Sequence, residues 1–359
     1  MLRFIFILVN ILYATNTNAQ TLQQIAPLVP PITEASGLQF INEDTMLIHN
    51  DSGDGPWLFW MNKMGVVLDS IELPITAIDW EDLTSDDKGN FYIGDFGNNF
   101  NNRQNLAIHR WADFGEMGDS LNFSTISFSY PDQTSFPPSP AELNFDCEAM
   151  VHVDNFLFLF SKNRGTSSHT KCYQLPDTAG DYQAILIDSF DTGGWVTGAT
   201  FNEEEKQLVL LSEMFIWVFY DFEGTDFFGG KSKQILFEFS KKEGAAFDIE
   251  GNLWMVDDSE TTAFQGYLWK MEGPLVGTVS VPINQLSIYP NPVSRFLFIN
   301  TAGLYLEPNK QFQLYNFMGK MVLENNIVDD FQAINIHHLN NGMYYYRLGN
   351  YEGKMVIQK

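Results

Sequence analysis

The feature that most constrains this chain is an internal repeat. Between residues 20 and 284 one pattern recurs: a small or acidic residue, then Gly, Ala or Asp and an apolar residue, a polar turn, and an apolar strand ending in polar residues. The copies are Ser36-Gly-Leu38 leading to residues 46–51, Glu81-Asp-Leu83 leading to 91–95, and Glu148-Ala-Met150 leading to 156–162. Two more are Thr197-Gly-Ala199 leading to 208–213 and Glu243-Gly-Ala245 leading to 253–257. Their starts lie 45, 67, 49 and 46 residues apart. A period of about 40–50 residues built from short strands is the signature of propeller blades.

Each copy is followed by further strand-like runs, such as 106–109 and 124–129 in the second and 215–219 and 234–239 in the fourth. Four strands per unit is a blade. The fifth copy has only three before residue 271, and residues 22–28 are left over to supply its outer strand. That pairing closes the ring and leaves no open sheet edge. The expectation is an all-β, five-bladed propeller over residues 20–276. A six-bladed ring is the rival, because the 67-residue interval has room for more than one blade or for a Pro-rich insertion at 130–140. The 31 Phe, 14 Tyr and 8 Trp suit strands. Cys147 and Cys172 fall on first and third strands of one blade, about 9–10 Å apart, too far for an unstrained disulfide.

The two ends read as addresses. Residues 1–19 run from Arg3 through an apolar stretch to Ala19, the pattern of a secretory signal peptide. The apolar run is shorter than the roughly 20 residues that span a bilayer, so the mature chain is expected to lack a transmembrane segment. After a linker at 277–284, residues 285–359 carry Leu286-Ser-Ile-Tyr-Pro-Asn-Pro-Val293, Phe312-Gln-Leu-Tyr-Asn-Phe-Met-Gly-Lys320 and Leu339-Asn-Asn-Gly-Met-Tyr-Tyr345, and end at Lys359. Short alternating strands with Pro and Gly turns predict a small β-sandwich. This stretch resembles the C-terminal sorting domain of type IX secretion cargo, the Por secretion tail of Bacteroidetes. The resemblance implies the type IX secretion machinery as partner. It also implies release to the medium or the outer-membrane surface after export to the periplasm, with the tail often removed afterwards.

The formal net charge is −25, and the tail is nearly balanced, so the acidity belongs to the propeller. That excludes nucleic acid, whose phosphates would be repelled. In a propeller, equivalent positions of the first strands ring the channel mouth: Ser36, Glu81, Glu148, Thr197 and Glu243. The ends of the second strands return there, bringing Asn50, Asp95, Lys162, Ser212, Glu213 and Asp257. Three facing carboxylates must take up protons, bind a cation or stay wet. An all-oxygen set of Glu81, Glu148, Glu243 and Asp257 suits calcium. The alternative is an inert network in which Lys162 is the counter-ion. The Gly- and Asn-rich loop 94–103 reads either as a ligand loop using Asp95, Asn98 and Arg103, or as a tight turn in which Arg103 pairs with a nearby acid. His49 reads as surface. Trp57, Trp60 and Trp111 could stack on glycans or pack between sheets.

Asp79-Trp-Glu-Asp-Leu83, Gly94-Asp-Phe-Gly-Asn98 and Asp146-Cys-Glu-Ala-Met150 resemble a family of secreted bacterial propellers with D-W-E-D and G-D-x-G-D-N repeats; this chain has Asn98 where that family often has Asp. At the level of fold, five blades with axial acids are similar to calcium-dependent nucleotidases. Two functions are therefore expected. One is a secreted or surface binding module that takes a small molecule or glycan at the channel mouth. The alternative is a calcium-dependent hydrolase of phosphoester, phosphoanhydride or lactone substrates.

Overall fold

A computed structural model describes residues 22–51, 53–112, 114, 121–259, 265–276, 286–301, 311–327, 331–349 and 351–359. The expected signal peptide and the expected linker at 277–284 lie outside these residues. Strand β1 (Leu22–Pro27) comes first and then waits for the last blade. The first sheet runs β2 (Ala35–Phe40), β3 (Thr45–Asn50), β4 (Trp57–Asn62) and β5 (Val67–Glu72). The second runs β6 (Trp80–Ser85), β7 (Phe91–Asp95), β8 (Leu106–Ala112) and β9 (Asn122–Ser129). The third holds β10 (Asp146–Val153), β11 (Phe156–Lys162), β12 (His169–Pro176) and β14 (Ile185–Asp191), while β13 (Gly180–Gln183) leaves it to pair in parallel with β9. The fourth is β15 (Gly198–Asn202), β16 (Gln207–Leu211), β17 (Phe215–Tyr220) and β18 (Lys231–Leu236). The fifth is β19 (Lys242–Phe247), β20 (Leu253–Asp257) and β21 (Tyr267–Met271), completed by β1.

Among the described residues the region before 277 thus forms five sheets, and the leftover N-terminal strand closes the ring on β21. Among those residues the long interval holds the strands of one four-stranded sheet plus an irregular segment at 130–145. Burial explains the apolar runs. β16, Gln-Leu-Val-Leu-Leu, is buried throughout because blades cover both its faces. Leu208 and Leu210 face a seam with the third blade, and Val209 and Leu211 face a seam with the fifth. Five such apolar seams join successive blades around the ring. The outer strand β14 is mostly exposed, with Ile185, Leu186 and Ile187 open to solvent.

Glycine sets how closely the inner strands approach. A Cβ on Gly244 would collide with the carbonyl oxygen of Ser36 in the next blade, and one on Gly198 with that of Glu243. The hydroxyls complete the ring: Ser36 Oγ donates to Glu81 O, and Thr197 Oγ1 to Lys242 O at 2.6 Å. So the small residues of the repeat join blades. Asp82, fully buried, spans further: it accepts the N–H of Met150 at 2.7 Å and that of Leu83 at 2.8 Å, and Ala199 N–H also points to it.

The tail is a sandwich. One sheet has β22 (Ser287–Tyr289), β23 (Phe296–Asn300) and β26 (Phe331–Asn335). The other has β24 (Gln311–Asn316), β25 (Met321–Asn326), β27 (Gly342–Leu348) and β28 (Tyr351–Ile357). Leu297, Ile299, Phe312, Leu314 and Leu348 fill the space between. Cys147 and Cys172 are free and buried in different seams. Trp111 is buried, and Trp57 and Trp60 pack against neighbouring seams, which assigns these rings to packing.

Candidate functional site at the channel mouth

The mouth is built where first strands begin and second strands end. Asn50, Asp95 and Asp257 occupy equivalent places there, and each holds backbone. Asn50 Oδ1 accepts the N–H groups of Thr33 (3.1 Å) and Glu34 (3.2 Å). Asp95 accepts those of Ile78 and Asp79, both at 3.1 Å, and Arg103 Nη2 at 2.9 Å. Asp257 accepts Tyr267 N–H, Trp269 Nε1 and Ser240 Oγ, and lies 3.4 Å from the buried ammonium of Lys242. These acceptors are taken up by the loops that lead into and out of the blades.

Loop 94–103 is held in the same way. Asn98 is buried; its side-chain oxygen accepts Asn102 and Arg103 N–H at 2.8 and 2.9 Å, its amide donates to Phe145 O, and its own N–H donates to Asp146 at 2.6 Å. Arg103 donates to Gly97 O at 2.7 Å as well as to Asp95. Arg103 thus pairs with a nearby acid, Asp95, within the loop. His49, expected at the surface, is fully buried with its ring edge-on to Trp80. Burial drives its pKa down to about 4.

The third blade breaks the pattern, placing Lys162 where its counterparts carry acceptors and Arg164 two residues on. Lys162 Nζ donates to Glu148 Oε2 at 3.0 Å, and Arg164 donates to Glu148 Oε1 at 3.1 Å and to Asp146. Burial alone would raise the Glu148 carboxyl, but these two cations hold it below its ordinary value. Burial raises Asp146 to about 7, with Glu148 adding to the shift and Arg164 opposing it.

Glu81 and Glu243 are the other two glutamates of the rim, and each feels the Glu148 charge. Burial lifts Glu81 well above the usual carboxylate range, and Glu148, Asp51, Asp146 and Asp79 push further. Burial lifts Glu243 likewise; Lys162 opposes this, and Glu148, Glu213 and Asp258 add to it. The mouth is therefore a low-dielectric rim where carboxylates outnumber cations, and it favours any positive charge that can enter.

One group there has the geometry of an ion site. Asp51, Asp79 and Glu81 can bring one carboxylate oxygen each within 4.8 Å of one another. Oxygens about 2.3–2.6 Å from a shared calcium ion are separated by at most about 5 Å. Gly97 faces the group, and a Cβ there would collide with the Glu81 carboxylate. The donors fit a hard cation. Of the four sequence-derived metal residues, Glu81 belongs to this group, Glu148 to the cation pair, Glu243 to the neighbouring rim and Asp257 to its own blade. Asp51 and Arg164 were not singled out from sequence. The alternation Lys162-x-Arg164 at a strand end was the available signal for Arg164. At the opposite end of the channel Asp86, His152 and Asp177 form a second such group. There His152 stacks on Tyr92 and bonds Asp177 at 3.2 Å, and Asp86 is taken up by Asn90 and Tyr92.

No curated protein matches the chain. Residues 287–359 match the family described as the secretion system C-terminal sorting domain. Among solved structures, PorZ, an essential surface component of the type IX secretion system of Porphyromonas gingivalis, is similar at 11% identity and a TM-score of 0.33. That match covers 93% of this chain and 46% of PorZ, so the chain spans about half of PorZ's length. Aldose sugar dehydrogenase from Streptomyces coelicolor is similar at 12% identity and TM-score 0.43 over 70% of this chain and 98% of that one. A gluconolactonase from Xanthomonas campestris is similar at 15% identity and TM-score 0.36, over 80% and 88%. The chain is an all-β, propeller-type protein that carries a type IX secretion sorting domain and is secreted or displayed at the cell surface.

Proposed function

We propose that this exported propeller is a binding protein whose channel mouth takes a cationic ligand, with calcium as the ion held by Asp51, Asp79 and Glu81. The observation that carries this reading is the mutual approach of those three carboxylates around buried Glu81. The neighbouring cations Lys162 and Arg164 are bonded to Glu148 and Asp146. A divalent ion would offset the burial, and the neighbouring carboxylate charges, that raise Glu81, leaving the rim to accept the polar or positive part of a ligand. Glu148, which a calcium-dependent hydrolase of phosphoesters or lactones would need as a metal ligand, already holds two cations; this favours binding over turnover.

The test is thermal unfolding with and without calcium. An ion that binds only the folded state adds about 2.7 kcal/mol at 100 times its dissociation constant. For a domain of this size that raises Tm by roughly 5–11 °C. Glu81→Gln should remove the shift while the protein still folds. An unmoved Tm at millimolar calcium would overturn the ion assignment, and turnover of a phosphoester or lactone abolished by Glu148→Gln would favour the hydrolase.

A further inference from the structure

The tail touches the propeller beside the mouth. Phe298 on β23 points away from the sandwich core that its neighbours Leu297 and Ile299 fill. It meets Phe215 edge-on with ring centroids 5.6 Å apart, next to Met214. All three side chains are buried. Gly194 underlies the contact: a Cβ there would come within 3.1 Å of Phe215 and 3.3 Å of Phe298.

A second contact lies alongside. Arg295, just before β23, donates to the carbonyl of Gly165 and sets its guanidinium 5.2 Å from the centre of the Trp195 ring. The same indole has Arg164 at 5.4 Å and Lys162 at 5.5 Å. Its Nε1 donates to Asn163 O at 2.8 Å, which fixes the ring between tail and mouth. Trp195 therefore joins the tail to the two cations that hold Glu148. A cation on an aromatic face contributes about 0.5–2 kcal/mol depending on desolvation. Edge-to-face aromatic pairs contribute about 0.5–1.5 kcal/mol beyond their buried area.

We propose that the sorting tail is a docked cap on the propeller rim, latched by Phe298 on Phe215 and by Arg295 on Trp195, and that it stays on the rim without the covalent connection. The partner this rim surface fits is residues 287–359 of the same chain. Undocking uncovers an aromatic patch and one side of the mouth, so access to the mouth follows the state of the tail. The inference stands on the contact itself and holds whatever the mouth binds. Arg164 shares the indole with Arg295 and repels it by like charge, so the aromatic half of the latch carries more of the hold.

The test places a protease recognition sequence within residues 277–285 of the mature chain. After cutting, the tail should co-elute with the propeller on gel filtration at micromolar concentration. Arg295→Ala/Phe298→Ser should separate the two, weakening their association at least ~10-fold. Circular dichroism melting checks that both units remain folded, and Phe298→Ser alone should account for most of the loss. If the double variant fails to fold, hydrogen exchange on the uncut wild type decides: amides at 193–195 and 214–216 should be protected. Separation of the wild-type halves on cutting, co-elution unchanged by the double variant, or free exchange at those amides would each overturn the cap.

Discussion

Lys162→Met tests the electrostatics of the mouth at its centre. Lys162 and Glu148 are 3.0 Å apart, with side chains only 9% and 4% exposed. The substitution keeps most of the aliphatic stem and removes the charge. Glu148 is left with Arg164 alone, and Glu243 loses the cation that most opposes its upward shift. Breaking a buried pair by removing one partner costs about 3–5 kcal/mol. Because Arg164 stays, the lower end applies, and about 3 kcal/mol corresponds to a Tm fall of roughly 6–12 °C for a domain of this size. The loss should depend on pH with a definite sign. With Lys162 gone, Glu148 loses one of the two cations that hold it down and Glu243 its main opposing cation, so both rise relative to wild type and the loss against wild type grows with pH. The penalty should be largest near pH 8 and shrink toward pH 5. Urea unfolding at both pH values, with m unchanged, measures it. A loss below about 1 kcal/mol, or one equal at pH 5 and 8, would refute the reasoning.

Further outcomes follow from the same geometry. Gly244→Ala drives a methyl into the Ser36 carbonyl and should cost about 1–3 kcal/mol by overpacking, read as a Tm loss of several degrees; an unchanged Tm would show that the inner strands are looser than described. In the absence of divalent ions, wild-type stability should fall as pH rises. Glu81, Glu243 and Asp146 have folded-state pKa values raised by burial, and the Asp146 contribution is lost between its ordinary 3.8 and about 7. Glu81→Gln should flatten that slope in a Tm–pH series. Cys147 and Cys172, buried with thiols pushed up by burial, should resist a thiol reagent in native protein and react fully in denaturant.

The propeller was legible because its constraint repeats. Apolar runs at blade spacing predicted the inner strands of each sheet, and the leftover run 22–28 revealed the pairing of β1 with β21. Ser36 and Thr197 were placed in the ring correctly, but their work, joining neighbouring inner strands, depends on a distance between blades that no single repeat encodes. The site was legible in position and less so in role. Asn50, Asp95, Asn98, Arg103 and Asp257 lie on or beside the rim, yet loops that reverse direction there need acceptors for their buried N–H groups, and that demand consumed the side chains. Asp51 stayed hidden because it looks like a turn residue until β3 carries it beside Asp79 and Glu81. His49 was misplaced because a polar residue near a turn reads as surface, although β3 is an inner strand covered on both faces and buries it. The contact of the tail with the rim had no periodic signal, since Phe298 alternates with core residues like any strand residue.

The central claim is that the carboxylates at the mouth converge on a cation. Anomalous diffraction from crystals grown with calcium or strontium tests it most directly. The account predicts one peak at the mouth, about 2.3–2.6 Å from carboxylate oxygens of Asp51, Asp79 and Glu81. A mouth without a peak at saturating ion, with those three side chains turned apart, would contradict it.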